Sequence, residues 1–156
     1  MNMTLKALTL VAGVGLASPA LAADLRLSAK INSYSGNRAY AVAYIVDSRG
    51  KYVSTIHVAG PKSKYYKHFT RWARLMARSG KGVDGTTGAS VGSGSTFSTR
   101  IKVPNSMLNA GYKLIIETAV ENQFYVADDV IIPLDKAHNG KANAGSRYIK
   151  SATISF

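Results

Sequence analysis

Two segments of the chain alternate between apolar and polar side chains, and this period of two constrains the fold more than any other feature. Residues 25–32 read LRLSAKIN, and residues 96–103 read TFSTRIKV. Successive side chains of a β-strand point to opposite faces, so each segment would bury one face and expose the other. The alternation therefore predicts two strands that lie on a core and face water.

Further strands are predicted by apolar runs and by the turns between them. Residues 39–46 and 112–120 are almost continuously apolar and rich in Tyr, Val and Ile, which is typical of central strands covered on both faces. Shorter candidates lie at 52–58, 124–132 and 147–156. Turn-forming residues separate the strands at 35–37, 48–50, 104–106, 109–111 and 139–140. Several short strands with polar turns predict a mainly β fold, an antiparallel β-sandwich formed by one domain over residues 23–156.

The first 22 residues have the three parts of an export signal. Lys6 supplies the positive charge, residues 7–17 form a short apolar core, and residues 20–22 read Ala-Leu-Ala, a small-x-small cleavage site. We therefore predict a signal peptide over residues 1–22 and a mature periplasmic protein that begins near Ala23 or Asp24. No later segment is apolar enough to span a membrane.

The net charge and the absence of cysteine limit the kinds of function that the chain can have. The chain has 20 Lys and Arg against 8 Asp and Glu, and no cysteine. The absence of cysteine excludes disulfides, iron–sulfur clusters and thiol catalysis. The net charge of +12 favours an anionic partner, cofactor or surface. This charge is concentrated, because residues 48–83 hold nine basic side chains and no acidic one.

One segment departs from the strand pattern, within a predicted insertion over residues 60–94. Aromatic and apolar side chains recur there at helical spacing, at Tyr65, Phe69, Trp72 and Met76. Basic side chains fall on the opposite face of the same helix, at Lys64, Lys67, Arg71, Arg74 and Arg78. The spacing predicts an amphipathic helix whose apolar stripe packs on the sandwich. Its basic face is either solvated or bound to an anion.

A glycine-rich loop follows the predicted helix. Six of the sixteen residues from 79 to 94 are glycine, so neither a strand nor a helix is expected there. Residues 84–90 read Asp-Gly-Thr-Thr-Gly-Ala-Ser and resemble the acceptor motif for covalent flavinylation. The resemblance implies that a flavin transferase attaches FMN to Ser90 through a phosphoester bond. It also implies that the recognised residues are those of the motif, Asp84, Thr87, Gly88 and Ala89.

The resemblance extends over nearly all of residues 24–156. It is carried by the flavinylation motif and by four other segments, AYAVAYIVD at 39–47, RGKYV at 49–53, KYYK…RW at 64–72 and VP…AGYKLIIETA at 103–119. Together they resemble the DUF2271 family of exported proteins. The family implies an immunoglobulin-like sandwich in the periplasm and a part in extracytosolic flavin-based electron transfer. It further implies a PepSY-type membrane protein and a flavin transferase as partners.

The residues around the motif suggest how a tethered FMN would be held. A phosphodiester at Ser90 would be stabilised by basic side chains close to it in sequence, Lys81, Arg78 and Arg74. The isoalloxazine ring would stack on Trp72, Tyr65 or Tyr66 if these rings are accessible. Tyr66 lies off the apolar stripe, so packing and stacking remain equal alternatives for it. Asp84 either hydrogen-bonds backbone amides or is read directly by the transferase.

Two functions follow from these features. The first is an electron carrier with FMN bound covalently to a loop serine. We favour this role over that of a stand-alone enzyme. The second is a non-catalytic binding module that uses the basic helix to hold an acidic protein or an anionic surface. We identify no catalytic residues and no metal site, because His57, His68 and His138 are isolated in sequence. The sequence also contains no recognised nucleic-acid-binding motif. The adjacent Asp128 and Asp129 are interpreted as a solvated strand end with the two side chains on opposite faces.

Overall fold

In a computed structural model, which describes residues 21–60 and 62–156, two β-sheets pack face to face around a shared core. The strands are β1 (Ala22–Ile31), β2 (Ala39–Val46), β3 (Tyr52–Ala59), β4 (Thr86–Gly88), β5 (Thr96–Pro104), β6 (Lys113–Val120), β7 (Tyr125–Pro133), β8 (Ala142–Ala144) and β9 (Ile149–Ser155). One α-helix, α1 (Thr70–Ser79), and two short 3-10 helices, Ser63–His68 and Asn105–Met107, complete the fold.

The predicted signal peptide lies outside the described residues, apart from Leu21 and Ala22. Within the described part of the chain, no helix has both the length and the apolar composition needed to span a membrane.

The sheets have four and five strands. The first has the order β5-β1-β9-β8, and the second has the order β4-β3-β2-β6-β7. All pairs are antiparallel except β3 and β4, which run parallel. The mainly β prediction is therefore confirmed, and all seven predicted strands form. The two strands that were not predicted, β4 and β8, have three residues each.

The sequence patterns correspond to two layers of buried side chains. In β1, the alternate residues Leu25, Leu27, Ala29 and Ile31 point into the core between the sheets. In β2, Ala41 and Ile45 face that same core, whereas Val42 and Tyr44 face the opposite side of the sheet. Helix α1 covers this outer side, with Trp72 completely buried. Burial of both faces explains why β2 is continuously apolar.

The predicted helix is correct in part, because it begins later than its stripe suggests. Tyr65 lies in the 3-10 helix, and α1 starts only at Thr70. Phe69 separates the two with φ −84° and ψ 70°, which is not a helical conformation. Gly80 ends α1 in the left-handed conformation that favours glycine. The apolar stripe thus runs across two elements that pack on one sheet face.

A buried carboxyl group supports the start of α1. Among the residues that the structure describes, no side chain caps this helix, and its first turn contains no acidic residue. Glu117 on β6 accepts hydrogen bonds from the hydroxyls of Tyr44 (2.8 Å) and Tyr125 (2.7 Å). The Tyr125 oxygen in turn accepts a hydrogen bond from the amide of Arg71, in the first turn. Burial raises the pKa of Glu117, although the two hydroxyl bonds oppose that shift.

The interpretation of Asp128 and Asp129 as a solvated strand end is wrong for Asp129. Asp128 lies at the surface and pairs with Arg71, but only 2% of Asp129 is exposed. The buried carboxylate accepts hydrogen bonds from the hydroxyl of Thr118 and from four backbone amides, those of Ser146, Arg147, Tyr148 and Ile149. It thereby fixes the turn that leads from β8 into β9.

Candidate cofactor-attachment site

The glycine-rich segment that contains the motif is ordered against β3, so the expectation of a segment without a strand is wrong. Thr86–Gly88 forms β4, in which Thr86 pairs with His57 and Gly88 pairs with Ala59. The amide of Gly60 continues this contact by donating to the Gly88 carbonyl at 2.8 Å. Backbone groups on this side of β3 need partners, and the hydrogen bonds to β4 offset the conformational freedom that the glycines lose.

The first two residues of the motif attach it to β3. The Asp84 carboxylate accepts hydrogen bonds from the backbone amide of Thr55 (2.7 Å) and from the Tyr52 hydroxyl (3.2 Å). Gly85 follows so close to β3 that an added Cβ would lie 2.7 Å from the carbonyl oxygens of Thr55 and Ile56. Asp84 therefore makes the backbone hydrogen bond that was one of its two predicted roles, although the amide belongs to β3 and not to its own loop.

The middle of the motif connects the two sheets. The Thr86 hydroxyl lies 2.8 Å from Nδ1 of His57 and 3.0 Å from the hydroxyl of Thr99 on β5. The His57 ring stacks on Phe97, which also belongs to β5, with the ring centroids 5.6 Å apart. Gly88 also lies against this histidine, because an added Cβ there would be 3.2 Å from the ring. The motif is thus packed around a buried histidine.

This histidine makes stability depend on pH. Burial lowers the pKa of His57 below its ordinary value of 6.5. As the pH falls, the unfolded chain takes up this proton before the folded protein does, so the contribution is complete above pH 6.5 and is lost below it. We therefore expect the free energy of unfolding to decrease as the pH falls below 6.5.

Urea unfolding at several pH values measures this effect. His57→Gln should remove the decrease, whereas His138→Gln should retain it, because His138 lies at the surface beside Asp135. If His57→Gln kept the full wild-type decrease, the prediction would be wrong.

The last residue of the motif contacts an arginine that the sequence did not single out. Ser90 is half-buried, and its Oγ lies 3.2 Å from Nε of Arg38. The same guanidinium donates to the Ser90 carbonyl, at 3.0 Å from Nε and also through Nη2. Next to Ser90, Val91 forms two backbone hydrogen bonds with Ala39 (2.7 and 2.8 Å). Arg38 is 52 residues from Ser90, and this bridge places the two side by side.

The basic residues that were predicted to assist Ser90 lie elsewhere. Lys81 Nζ donates to the carbonyl of Val53 at 2.7 Å, while Arg74 and Arg78 are exposed on α1. Among the described residues, no hydrogen bond joins any of the three to Ser90. Their contact with a phosphate therefore stays a prediction.

The other predicted residues around the motif divide by exposure. Thr87 and Ala89 are exposed beside the half-buried Ser90. Trp72 is fully buried, so it cannot stack on a ligand. The half-buried Tyr66 packs edge-on against Trp72, with ring centroids 5.3 Å apart.

An aromatic groove lies on the outer side of the five-stranded sheet. Its volume is about 390 Å³, and it runs between the 3-10 helix Ser63–His68 and the turn that joins β6 to β7. Its aromatic lining consists of Tyr40, Tyr65, Phe69, Phe124 and Tyr125. Tyr40 is the residue that connects the groove with the motif, because its ring covers Gly60, whose amide binds Gly88.

The arrangement at Ser90 fits a phosphoester. A guanidinium group carries five donors in a planar fork that matches the oxygens of a phosphate. Nε of Arg38 lies 3.2 Å from the Ser90 hydroxyl oxygen, the atom that would carry the phosphorus, while Nε and Nη2 together bind the Ser90 carbonyl. The chain thus presents a serine with a fixed cation beside it.

Comparison with known proteins gives one match. The model of the family DUF2271, described as "Predicted periplasmic protein", matches residues 22–151. No curated protein and no solved structure matches the chain.

Proposed function

Because the chain belongs to the DUF2271 family of predicted periplasmic proteins, we propose that it carries FMN covalently on Ser90 and acts as a periplasmic electron carrier. The proposal includes export through the signal peptide at residues 1–22 and an immunoglobulin-like arrangement of the sandwich. Its partners are a flavin transferase and a redox protein of the PepSY membrane type. The single observation that carries the proposal is the contact of Arg38 with the hydroxyl that ends the flavinylation-type motif.

Attachment requires a phosphoryl transfer to Ser90. The Ser90 oxygen attacks the FMN phosphorus of FAD, a Ser–O–P bond forms, the pyrophosphate bond breaks, and AMP leaves. The transferase supplies the base that takes the hydroxyl proton. The exposed Thr87 and Ala89 leave the motif accessible on both sides of Gly88. Arg38 stabilises the negative charge of the phosphoester through charge-assisted hydrogen bonds.

The residues of the chain itself bind the FMN group and orient it. FMN, when bound, supplies reversible electron transfer. Asp84 and Gly85 hold the start of the motif on β3, and the Val91–Ala39 bridge holds its end. The backbone is therefore held both before and after Ser90, so a group attached to this serine starts from a defined position on the surface.

Intact-mass spectrometry tests the proposal. The protein is coexpressed with a bacterial flavin transferase, and the wild type should gain the mass of FMN less one water. Ser90→Ala should gain nothing, and Ser90→Thr should still be modified, because either hydroxyl forms the ester. Ser95→Ala, one residue after the glycine-rich segment, is the matched control and should be modified like the wild type. An unmodified wild type, or a modified Ser90→Ala, would refute the proposal.

A second candidate function is the binding module. The observation that favours it is the exposure of four basic side chains along the 3-10 helix and α1, Lys64, Lys67, Arg74 and Arg78. Exposed cations of this density attract an acidic protein or an anionic surface, and such binding weakens with salt. Sedimentation with phosphatidylglycerol vesicles at low and high salt tests it. Salt-sensitive binding that Arg74→Glu/Arg78→Glu abolishes, in a protein that never gains FMN, would favour this function over the first.

A further inference from the structure

We infer that the aromatic groove binds an isoalloxazine ring and that Arg38 binds the phosphate of the same FMN. This inference rests on the proposed function, because the ring is the one tethered to Ser90. It adds a second site to the attachment point, namely a noncovalent pocket that sets where the ring lies.

The first argument is the face on which the side chains lie. In an antiparallel bridge, paired residues point to one face and their neighbours point to the other. Ala39 and Val91 are both buried in the core between the sheets. Arg38, Tyr40 and Ser90 therefore project from the outer face, which is the face that carries the groove. The observed contact between Arg38 and the Ser90 hydroxyl agrees with this placement.

The second argument is distance along the sheet. The Ala39–Val91 bridge sets a register in which Tyr40 lies opposite Ser90, one strand spacing away, or about 5 Å. Tyr40 is also part of the groove lining. The five-carbon ribityl chain between the phosphate and the ring of FMN extends further than one strand spacing. A flavin attached at Ser90 can therefore reach past Tyr40 into the groove.

The third argument is the chemistry of the groove. Its volume of about 390 Å³ lies within the range of roughly 300–1,000 Å³ that is typical of small-molecule sites. The rings of Tyr40 and Tyr65 pack with centroids 4.9 Å apart at one end, and Phe124, which is 55% exposed, stands at another. Glu121 and Asn122 add polar groups to the lining. Exposed aromatic rings beside polar groups match a planar heteroaromatic ligand.

The attachment point assigns the two ends of the ligand. Arg38 is the cation that contacts Ser90, so the dianionic phosphate group of free FMN, or the phosphodiester of attached FMN, would lie there. Two other cations lie over rings of the groove, the Arg147 guanidinium over Phe124 (3.6 Å to the ring centroid) and the Lys64 ammonium over Tyr65 (4.9 Å). The orientation is therefore set by the attachment itself, which places the phosphorus at Ser90 beside Arg38 and leaves the ring to lie in the groove.

Flavin fluorescence tests the groove in the modified protein. A tyrosine ring stacked on a flavin quenches its emission, so the flavin of folded wild type should be several-fold dimmer than that of the urea-unfolded protein. Its fluorescence anisotropy should equal that of a group rigid on the protein. Tyr65→Ser should raise the emission, Phe124→Ser should lower the anisotropy, and Tyr112→Ser, which changes a half-buried tyrosine outside the groove, should do neither. Attached flavin that is as bright and mobile in the folded as in the unfolded protein would overturn the inference while leaving attachment intact.

Titration with free ligands tests the same site without attachment. The unmodified chain is titrated with FMN and with riboflavin, which lacks the phosphate. Tyr65→Ser should weaken both, and Arg38→Gln should weaken FMN roughly tenfold while leaving riboflavin unchanged, as expected for loss of a charge-assisted contact. If this pattern appears but Ser90 is never modified, the inference about the groove is supported and the proposed function is refuted. If neither ligand binds and an attached flavin stays mobile, the inference fails.

Discussion

Asp129→Asn is expected to lower the free energy of unfolding by about 4 kcal/mol, because two or more charge-assisted hydrogen bonds worth roughly 1.5–3 kcal/mol each are lost. The carboxylate accepts four backbone amides and the Thr118 hydroxyl while 98% of the residue is buried. An asparagine has one acceptor oxygen, and its NH₂ group would face amides that also donate. A loss of this size is a large part of the roughly 5–15 kcal/mol that stabilises a domain.

The neighbouring residue supplies the control. Asp128→Asn removes an exposed partner of Arg71, a surface ion pair worth about 1 kcal/mol or less. Urea unfolding followed by circular dichroism measures both variants. Equal losses for the two variants would contradict the role assigned to Asp129, since only one of the two carboxylates is buried.

Trp72→Ala is expected to cost about 3–5 kcal/mol, the range for removing a fully buried aromatic side chain. The indole fills the space between α1 and the sheet, and its Nε1 donates to the Thr55 hydroxyl at 3.0 Å. The Thr55 hydroxyl in turn lies 2.7 Å from that of Tyr52, which donates to Asp84. Loss of the indole therefore disturbs a hydrogen-bond chain that ends at the motif.

Trp72→Phe and Arg74→Ala separate the parts of this effect. The phenylalanine keeps most of the buried area but loses the Nε1 donor, so it should cost about 1–3 kcal/mol, from the smaller ring and the lost hydrogen bond to the Thr55 hydroxyl. Arg74→Ala changes the exposed face of the same helix and should stay within about 0.5 kcal/mol. Hydrogen exchange at the Thr55 amide, which binds Asp84, should accelerate in both tryptophan variants beyond what their global stability explains. If hydrogen exchange at the Thr55 amide changed only as global stability predicts, the series of hydrogen bonds would not connect α1 to the motif.

The sheets were predictable because their signals are local. Alternation in β1 and β5 and continuous apolar character in β2 and β6 are each visible within about ten residues, and each corresponds to one or two buried faces. The late start of α1 was not visible, because residues of the 3-10 helix continue the same aromatic spacing.

The site was predictable only as a motif. Residues 84–90 identify Ser90 through local sequence, but its contact with Arg38 depends on the pairing of Val91 with Ala39. Likewise, β4 depends on backbone groups that β3 leaves available and not on any strand propensity in a glycine-rich segment. The interpretation of Asp129 failed because a buried and an exposed carboxylate have the same local sequence signal when the donors lie 11 to 20 residues away.

The three-residue strand β4 also bears on self-association. It occupies the end of the five-stranded sheet, where β3 would otherwise offer free amides and carbonyls to a strand from another molecule. A variant or a modification that detaches the motif from β3 would uncover that template. The proposed attachment of FMN to Ser90 would therefore have to leave β4 in place, or restore it afterwards, if the product is to remain free of sheet-to-sheet aggregation.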